Sequence, residues 1–173
     1  AGLSAAIACR ELKLDVVVID EFPKPGGRLL GQLHQEPDGK WWNGIEETKK
    51  LMEKAKELDT VISCGVSAHH IEKTENGFRV HTNTANYDAK NILIATGAAE
   101  TPAPVPGWTL PGVMSIGAAQ VMTNVHRVKV GHKGIVAGVN VLSAAIAREL
   151  QLAGVELHSM VLPGLNPVTK KHG

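Results

Sequence analysis

The 173-residue sequence predicts an α/β chain: a three-layer dinucleotide-binding fold with a small β-meander inserted, truncated at both ends. Three observations carry this expectation. Ala1-Gly2-Leu3-Ser4-Ala5-Ala6-Ile7 reads as the rear half of a G-x-G-x-x-G turn. Its third glycine, where the helix packs on the first strand, is Gly2, and the two earlier glycines would lie upstream of the chain. Next, Val16-Val17-Val18-Ile19 reads as a buried parallel strand ending at Asp20. An acidic residue about 20 positions past the glycines is what a β-α-β unit uses to hold ribose hydroxyls. Finally, Leu-Ser-Ala-Ala-Ile-Ala occurs at 3–8 and again at 142–147, so the chain carries two copies of the same helix start.

The elements follow in order. Residues 3–14 are rich in Ala and Leu and read as the first helix. Pro23, Pro25, Gly26 and Gly27 follow Asp20 at once, ahead of Arg28 and Gln32. Paired glycines reach backbone angles closed to other residues and let a ligand approach closely. Residues 34–43 read as a polar turn region ending in Trp41-Trp42, two side chains expected to cover the next helix rather than to stack on a ligand. That helix is 44–58, with Ile45, Thr48, Leu51, Met52, Ala55 and Leu58 on one stripe and Glu and Lys opposite. Short strands are expected at 61–64, 66–73, 78–83 and 87–95, with Glu75-Asn76-Gly77 as a hairpin turn taking positive backbone angles. Residues 101–114 are Pro- and Gly-rich and read as an extended connector anchored by burial of Trp108. Residues 115–126 read as a short helix. The expected domains are 1–100, the connector 101–114, and 115–173 as the start of a second nucleotide-binding half.

The run AGLSAAIACRELKLDVVVIDEFPKPGGRL resembles the FAD-binding start of the two-dinucleotide-binding flavoprotein oxidoreductases, a Rossmann-like fold. Asn91-Ile-Leu-Ile-Ala-Thr-Gly97 is similar to their second flavin fingerprint. The stretch GAAETPAPVPGWTLPGVMSIGAAQ (97–120) is similar to one branch, the FAD subunits of the hydrogen cyanide synthase, opine oxidase and amine dehydrogenase family. The resemblance implies FAD as cofactor and a set of binding positions. Ala1 and Gly2 would face the pyrophosphate. Asp20, with Glu21 beside it, would hold the adenosine ribose. Gly26, Gly27, Arg28 and Gln32 would run past the phosphates toward the flavin, Arg28 balancing their charge. Thr96 and Gly97 would close on the cofactor. It also implies oxidation of a C–N bond in an amine, amino acid or opine, with a partner subunit carrying a second flavin. The sequence offers no residue that can be assigned as base or nucleophile.

Composition narrows the alternatives. Formal charge is +1, with 18 basic and 17 acidic residues and no basic stripe, which argues against nucleic acid. The apolar runs are too short for a membrane span and no signal-peptide pattern precedes the first helix, so a cytoplasmic location is expected. Cys9 and Cys64, the two cysteines, form no C-x-x-C or C-x4-C pair and read as structural thiols. The eight histidines have no metal-ligand spacing, and the adjacent His69 and His70 would face opposite ways on a strand.

The second nucleotide motif departs from its pattern. Lys133-Gly-Ile-Val-Ala-Gly138 reads as a strand running into a glycine turn, and 142–153 as a helix. Matching the internal repeat literally puts Val136 and Val141 at the first and third glycine positions. Matching helix length and the strand 155–162 instead gives Gly138, Asn140 and Ser143, which is preferred because it keeps a smaller residue at each crowded site. Either register keeps one glycine of three, and no acidic ribose partner follows. A second half retained for architecture, with NAD(P)H affinity weak or lost, is therefore expected. Two other classes remain open: an NAD(P)H-dependent flavin reductase, which needs a working second turn, and a non-catalytic electron-relay or assembly subunit.

Overall fold

The computed structural model describes residues 1–102 and 104–162. The chain divides into two compact units. Among the described residues, one holds 1–30 and 44–98, the other 31–43, 99–102 and 104–162.

In the first unit, α1 (Gly2–Glu11) leads through a short turn into β1 (Val17–Asp20), which pairs in parallel with β4 (Val61–Cys64). Between them in sequence lies α2 (Gly44–Glu57). Leu3, Ala6 and Ile7 are buried on one side of α1, and Thr48 and Ala55 on one side of α2, where the two helices pack together. Polar contacts fix their crossing: Arg10 Nε donates to the Leu58 carbonyl at 2.9 Å, and Lys54 Nζ pairs with Glu11 at 2.6 Å. The antiparallel meander β5 (Ala68–Thr74), β6 (Gly77–Thr82) and β7 (Asn86–Ala89) follows.

In the second unit, β2 (Leu33–Gln35) and β3 (Trp41–Asn43) form an antiparallel hairpin. Its main body is α3 (Ile116–Asn124), β8 (Lys133–Ala137), α4 (Val141–Leu152) and β9 (Glu156–Val161), with β8 and β9 parallel. A strand–helix–parallel strand unit needs this crossover helix. Ala119, Ile146, Leu150 and Val155 form the core, with Ile116, Val130 and Leu157 packed around it.

Several expectations need correction. Helix α1 stops at Glu11 because Lys13 turns to φ 60°, so Leu12 and Leu14 are exposed. β1 is half-buried rather than buried, since its sheet has two strands and Val17 lies at the surface. Residues 34–43 are a hairpin, not merely a turn region. Trp42 stacks on His34 with ring centroids 4.8 Å apart, while Trp41 is exposed. The last strand of the meander ends at Ala89; residues 91–95 join no ladder, and Leu93 and Ile94 are 64% and 72% exposed. A β conformation lasts only where a neighbour accepts its hydrogen bonds, and β1 pairs here with β4 alone. Trp108 is exposed with Val105, Leu110, Val113 and Met114, so burial does not anchor the connector. Cys9 and Cys64 are free and partly exposed. A register shift between Ala68 and His70 lets both His69 and His70 approach the His81 ring, at 6.5 and 5.4 Å, instead of facing apart. Asn76 keeps a negative φ; the positive angle falls on Gly77, where a Cβ would lie 2.4 Å from the Ala89 carbonyl oxygen.

Candidate cofactor site

Four segments of the first unit carry the sequence-predicted cofactor positions: the start of α1, the end of β1, the Gly26-Gly27 loop and Thr96-Gly97. Helix α1 and strand β1 are joined by a short turn and pack on each other, so they run in opposite directions. That arrangement brings the Gly2 end of the helix to the same edge as Asp20. Ala1 is the N-cap residue of α1 and no side chain caps the helix. The uncapped first-turn N–H groups carry the partial positive charge that a helix N-terminus offers to an anion. A Cβ on Gly2 would sit 3.5 Å from the Ala95 Cβ, which sets the helix start against the Ala95-Thr96-Gly97 segment. The two fingerprints, more than 90 residues apart in sequence, thus meet at the α1 N-terminus.

Asp20 ends β1 with its carboxylate turned back on the chain: Oδ1 accepts from the Phe22 N–H at 3.0 Å. Cys64 stands opposite Asp20 in the parallel register, and partial burial, then the Asp20 charge, push its thiol above the ordinary value. Glu21 is exposed just beyond. Gly26 has φ +126°, and a Cβ there would meet Thr48 Cγ2 at 2.8 Å and Leu30 Cγ at 3.0 Å. Thr48 cannot easily yield, since it is buried and its hydroxyl donates to the Gly44 carbonyl at 2.7 Å. Gly27, at φ +53°, opens the 3-10 segment Gly27–Gly31, and nothing lies within 4 Å of where its Cβ would be. Gly97, at φ +75°, is likewise open. So Gly26 is required by packing, whereas Gly27 and Gly97 present backbone to free space, as a close-approaching ligand needs. Arg28 and Thr96 are exposed.

The second unit holds Gln32, exposed after the 3-10 segment, and the degenerate turn. Gly138 follows β8 directly with φ +102°, and its N–H donates to the Val161 carbonyl at 2.8 Å. Asn140 is the N-cap of α4 and Ser143 its third residue. Sequence reasoning missed a buried cluster in this unit. Glu149 accepts from Gln120 Nε2 at 3.0 Å and from Asn124 Nδ2 at 2.7 Å. Asn124 Nδ2 also donates to the Gly31 carbonyl at 2.7 Å, tying the end of the 3-10 segment to α3 and α4. Helical spacing within α3 and α4 marks these residues as one-sided, but nothing local links them to Gly31.

Among the described residues no group of His, Cys, Asp and Glu is placed to hold a metal ion. No helix among them is long and apolar enough to cross a membrane.

The pyridine nucleotide-disulphide oxidoreductase family matches residues 1–162. The chain is 32% identical over 169 residues to an opine oxidase subunit of Agrobacterium tumefaciens, covering 90% of this chain and 33% of that protein. It is 28% identical over 168 residues to hydrogen cyanide synthase subunit HcnB of Pseudomonas aeruginosa, covering 91% and 35%. The chain thus spans about a third of the length of these curated relatives. Among solved structures, L-proline dehydrogenase from P. horikoshii shares the fold with a TM-score of 0.79 at 24% identity, covering 95% of this chain and 34% of that one. Lactococcus lactis thioredoxin reductase does so with a TM-score of 0.75 at 18% identity, covering 98% and 56%. From the glycine-opened edge and the match along nearly its whole length, the chain belongs to the pyridine nucleotide-disulphide oxidoreductase family and carries its Rossmann-like, FAD-dependent oxidoreductase domain.

Proposed function

We propose that this chain is the FAD-binding part of an oxidoreductase that oxidises a C–N bond in an amine, amino acid or opine. The observation that carries the reading is the meeting of Gly2 with Ala95-Thr96-Gly97 at an uncapped helix start. The residues present fit the cofactor. Gly27 and Gly97 leave open space over exposed backbone, and Asp20 offers its carboxylate to a ribose hydroxyl. When bound, FAD supplies a two-electron acceptor. The chain's own residues do the rest of the work: Ala1 and Gly2 offer N–H groups to the pyrophosphate, Asp20 and Glu21 orient the ribose, and Arg28 balances phosphate charge. Thr96 and Gly97 close the cofactor's other side.

Substrate class rests on what the relatives are called, one for opine oxidase and the other for hydrogen cyanide synthase. Both are named as subunits, which supports a second polypeptide as partner. The two cysteines of this chain support an amine-oxidising rather than a disulphide-reducing role, since Cys9 lies in α1 and Cys64 in β4 with no paired thiol. The test is dye reduction by the purified protein with its co-purifying partners, offered opines, amino acids, NADH and a disulphide in turn. Reduction by an opine or amino acid supports the reading, and reduction by NADH alone refutes it.

A further inference from the structure

The two helices that begin with the repeated Leu-Ser-Ala-Ala-Ile-Ala treat their starts in opposite ways. Behind α1 stands Ala1, whose methyl offers no acceptor. Behind α4 stands Asn140 in extended conformation, and a reciprocal cap closes the turn. Asn140 Oδ1 accepts from the Ser143 N–H at 2.8 Å, and Ser143 Oγ accepts from the Asn140 N–H at 2.8 Å. The same Ser143 hydroxyl donates to the Asn140 carbonyl at 3.0 Å, and Ser143 is only 4% exposed. Two backbone donors that a phosphate would need are therefore already engaged.

The rest of the turn is intact. Gly138 keeps the positive φ of a tight strand-to-helix turn, and no atom lies within 4 Å of where its Cβ would be. β8 and β9 pair in parallel on either side of α4, as a nucleotide-binding half requires. The barrier is local to the cap. Its neighbours add nothing for an anion: Val139, Val141 and Leu142 are exposed around it, Val141 at 89%.

We infer that Asn140 is the specificity-determining residue that closes this second turn to pyridine dinucleotides, its carboxamide oxygen taking the Ser143 N–H that a pyrophosphate oxygen would otherwise accept. The site is closed by a neutral internal ligand, not by collapse of the fold. This concerns the second unit alone and stands apart from the FAD reading.

The experiment is titration of the purified protein with NADH and with NADPH, followed by nicotinamide fluorescence and by calorimetry, for the unaltered chain, Asn140→Gly and Asn140→Asp. Glycine at an N-cap costs only a few tenths of a kcal/mol, so Asn140→Gly keeps its fold, and a melting curve checks this. The unaltered chain and Asn140→Asp, which keeps the cap and adds negative charge, show no saturable binding up to about 1 mM, while Asn140→Gly binds at least about tenfold tighter, the gain from one charge-assisted hydrogen bond. Saturable micromolar binding by the unaltered chain overturns the inference. So does an Asn140→Gly variant that binds no better than its parent.

Discussion

Replacing Gly26 and Gly27 separately by alanine distinguishes a glycine needed for packing from one needed for a ligand. At Gly26 the backbone sits at φ +126°, a region that costs an L residue about 1–3 kcal/mol. The added Cβ also meets Thr48 Cγ2 at 2.8 Å and Leu30 Cγ at 3.0 Å, where Thr48 is pinned to the Gly44 carbonyl. Overpacking of that kind costs about 1–3 kcal/mol more, so Gly26→Ala loses about 2–6 kcal/mol in all. At Gly27, φ +53° costs alanine about 1–2 kcal/mol and nothing is struck. Urea unfolding therefore separates the two variants by at least about 1 kcal/mol in the expected order. Flavin titration reverses it: Gly27→Ala weakens FAD at least about tenfold, because its methyl stands where the cofactor comes close to the backbone. Equal unfolding midpoints, or a Gly27→Ala variant with unaltered FAD affinity, refute the reasoning.

Three further outcomes are expected. Asn124→Ala leaves the Gly31 carbonyl without its side-chain donor and removes one of the two donors to Glu149 Oε2, and lowers stability by about 1–3 kcal/mol in urea unfolding. Cys64, its thiol pushed up by burial and by Asp20, alkylates more slowly than free cysteine at pH 8, and slower still with FAD present; mass spectrometry of iodoacetamide adducts reads both rates. Arg79 Nε and Nη2 donate to the two Asp88 oxygens at 2.7 and 2.9 Å and hold that carboxyl below its ordinary value. A group with a lowered folded pKa stabilises the fold above its ordinary value and loses that contribution as pH falls through the lowered one. Amide protection factors in β6 and β7, which divide out the intrinsic pH dependence of exchange, therefore fall as pH drops below about 4, and Arg79→Gln removes this dependence.

The elements with strong local chemistry were legible in the sequence. α2 declares itself by the Thr48 and Ala55 stripe opposite its charges, and α4 by the repeated Leu-Ser-Ala-Ala-Ile-Ala. The meander follows from alternating residues around Gly77. What failed was whatever depends on a distant partner. Ile92-Leu93-Ile94 has the composition of a buried strand, yet composition cannot supply a ladder neighbour, and these residues lie outside any sheet. Trp108 has the side chain of an anchor, yet it remains 45% exposed. Of the site, Gly26 and Gly27 stood out together, but their different duties are visible only through Thr48, more than 20 residues away. The Asn140–Ser143 spacing was legible as a lost glycine pattern. That the two residues cap each other became evident from hydrogen bonds alone.

The most direct measurement is FAD titration of flavin-stripped protein beside its Asp20→Asn variant, which keeps an acceptor for the Phe22 N–H while losing the charge. The unaltered chain is predicted to take up a single FAD, and Asp20→Asn to bind it about tenfold more weakly or worse, as loss of a charged hydrogen bond to ribose demands. Identical affinities would mean that the β1 tip does not hold the adenosine end. Absence of any flavin uptake by the unaltered chain would contradict the account at its root.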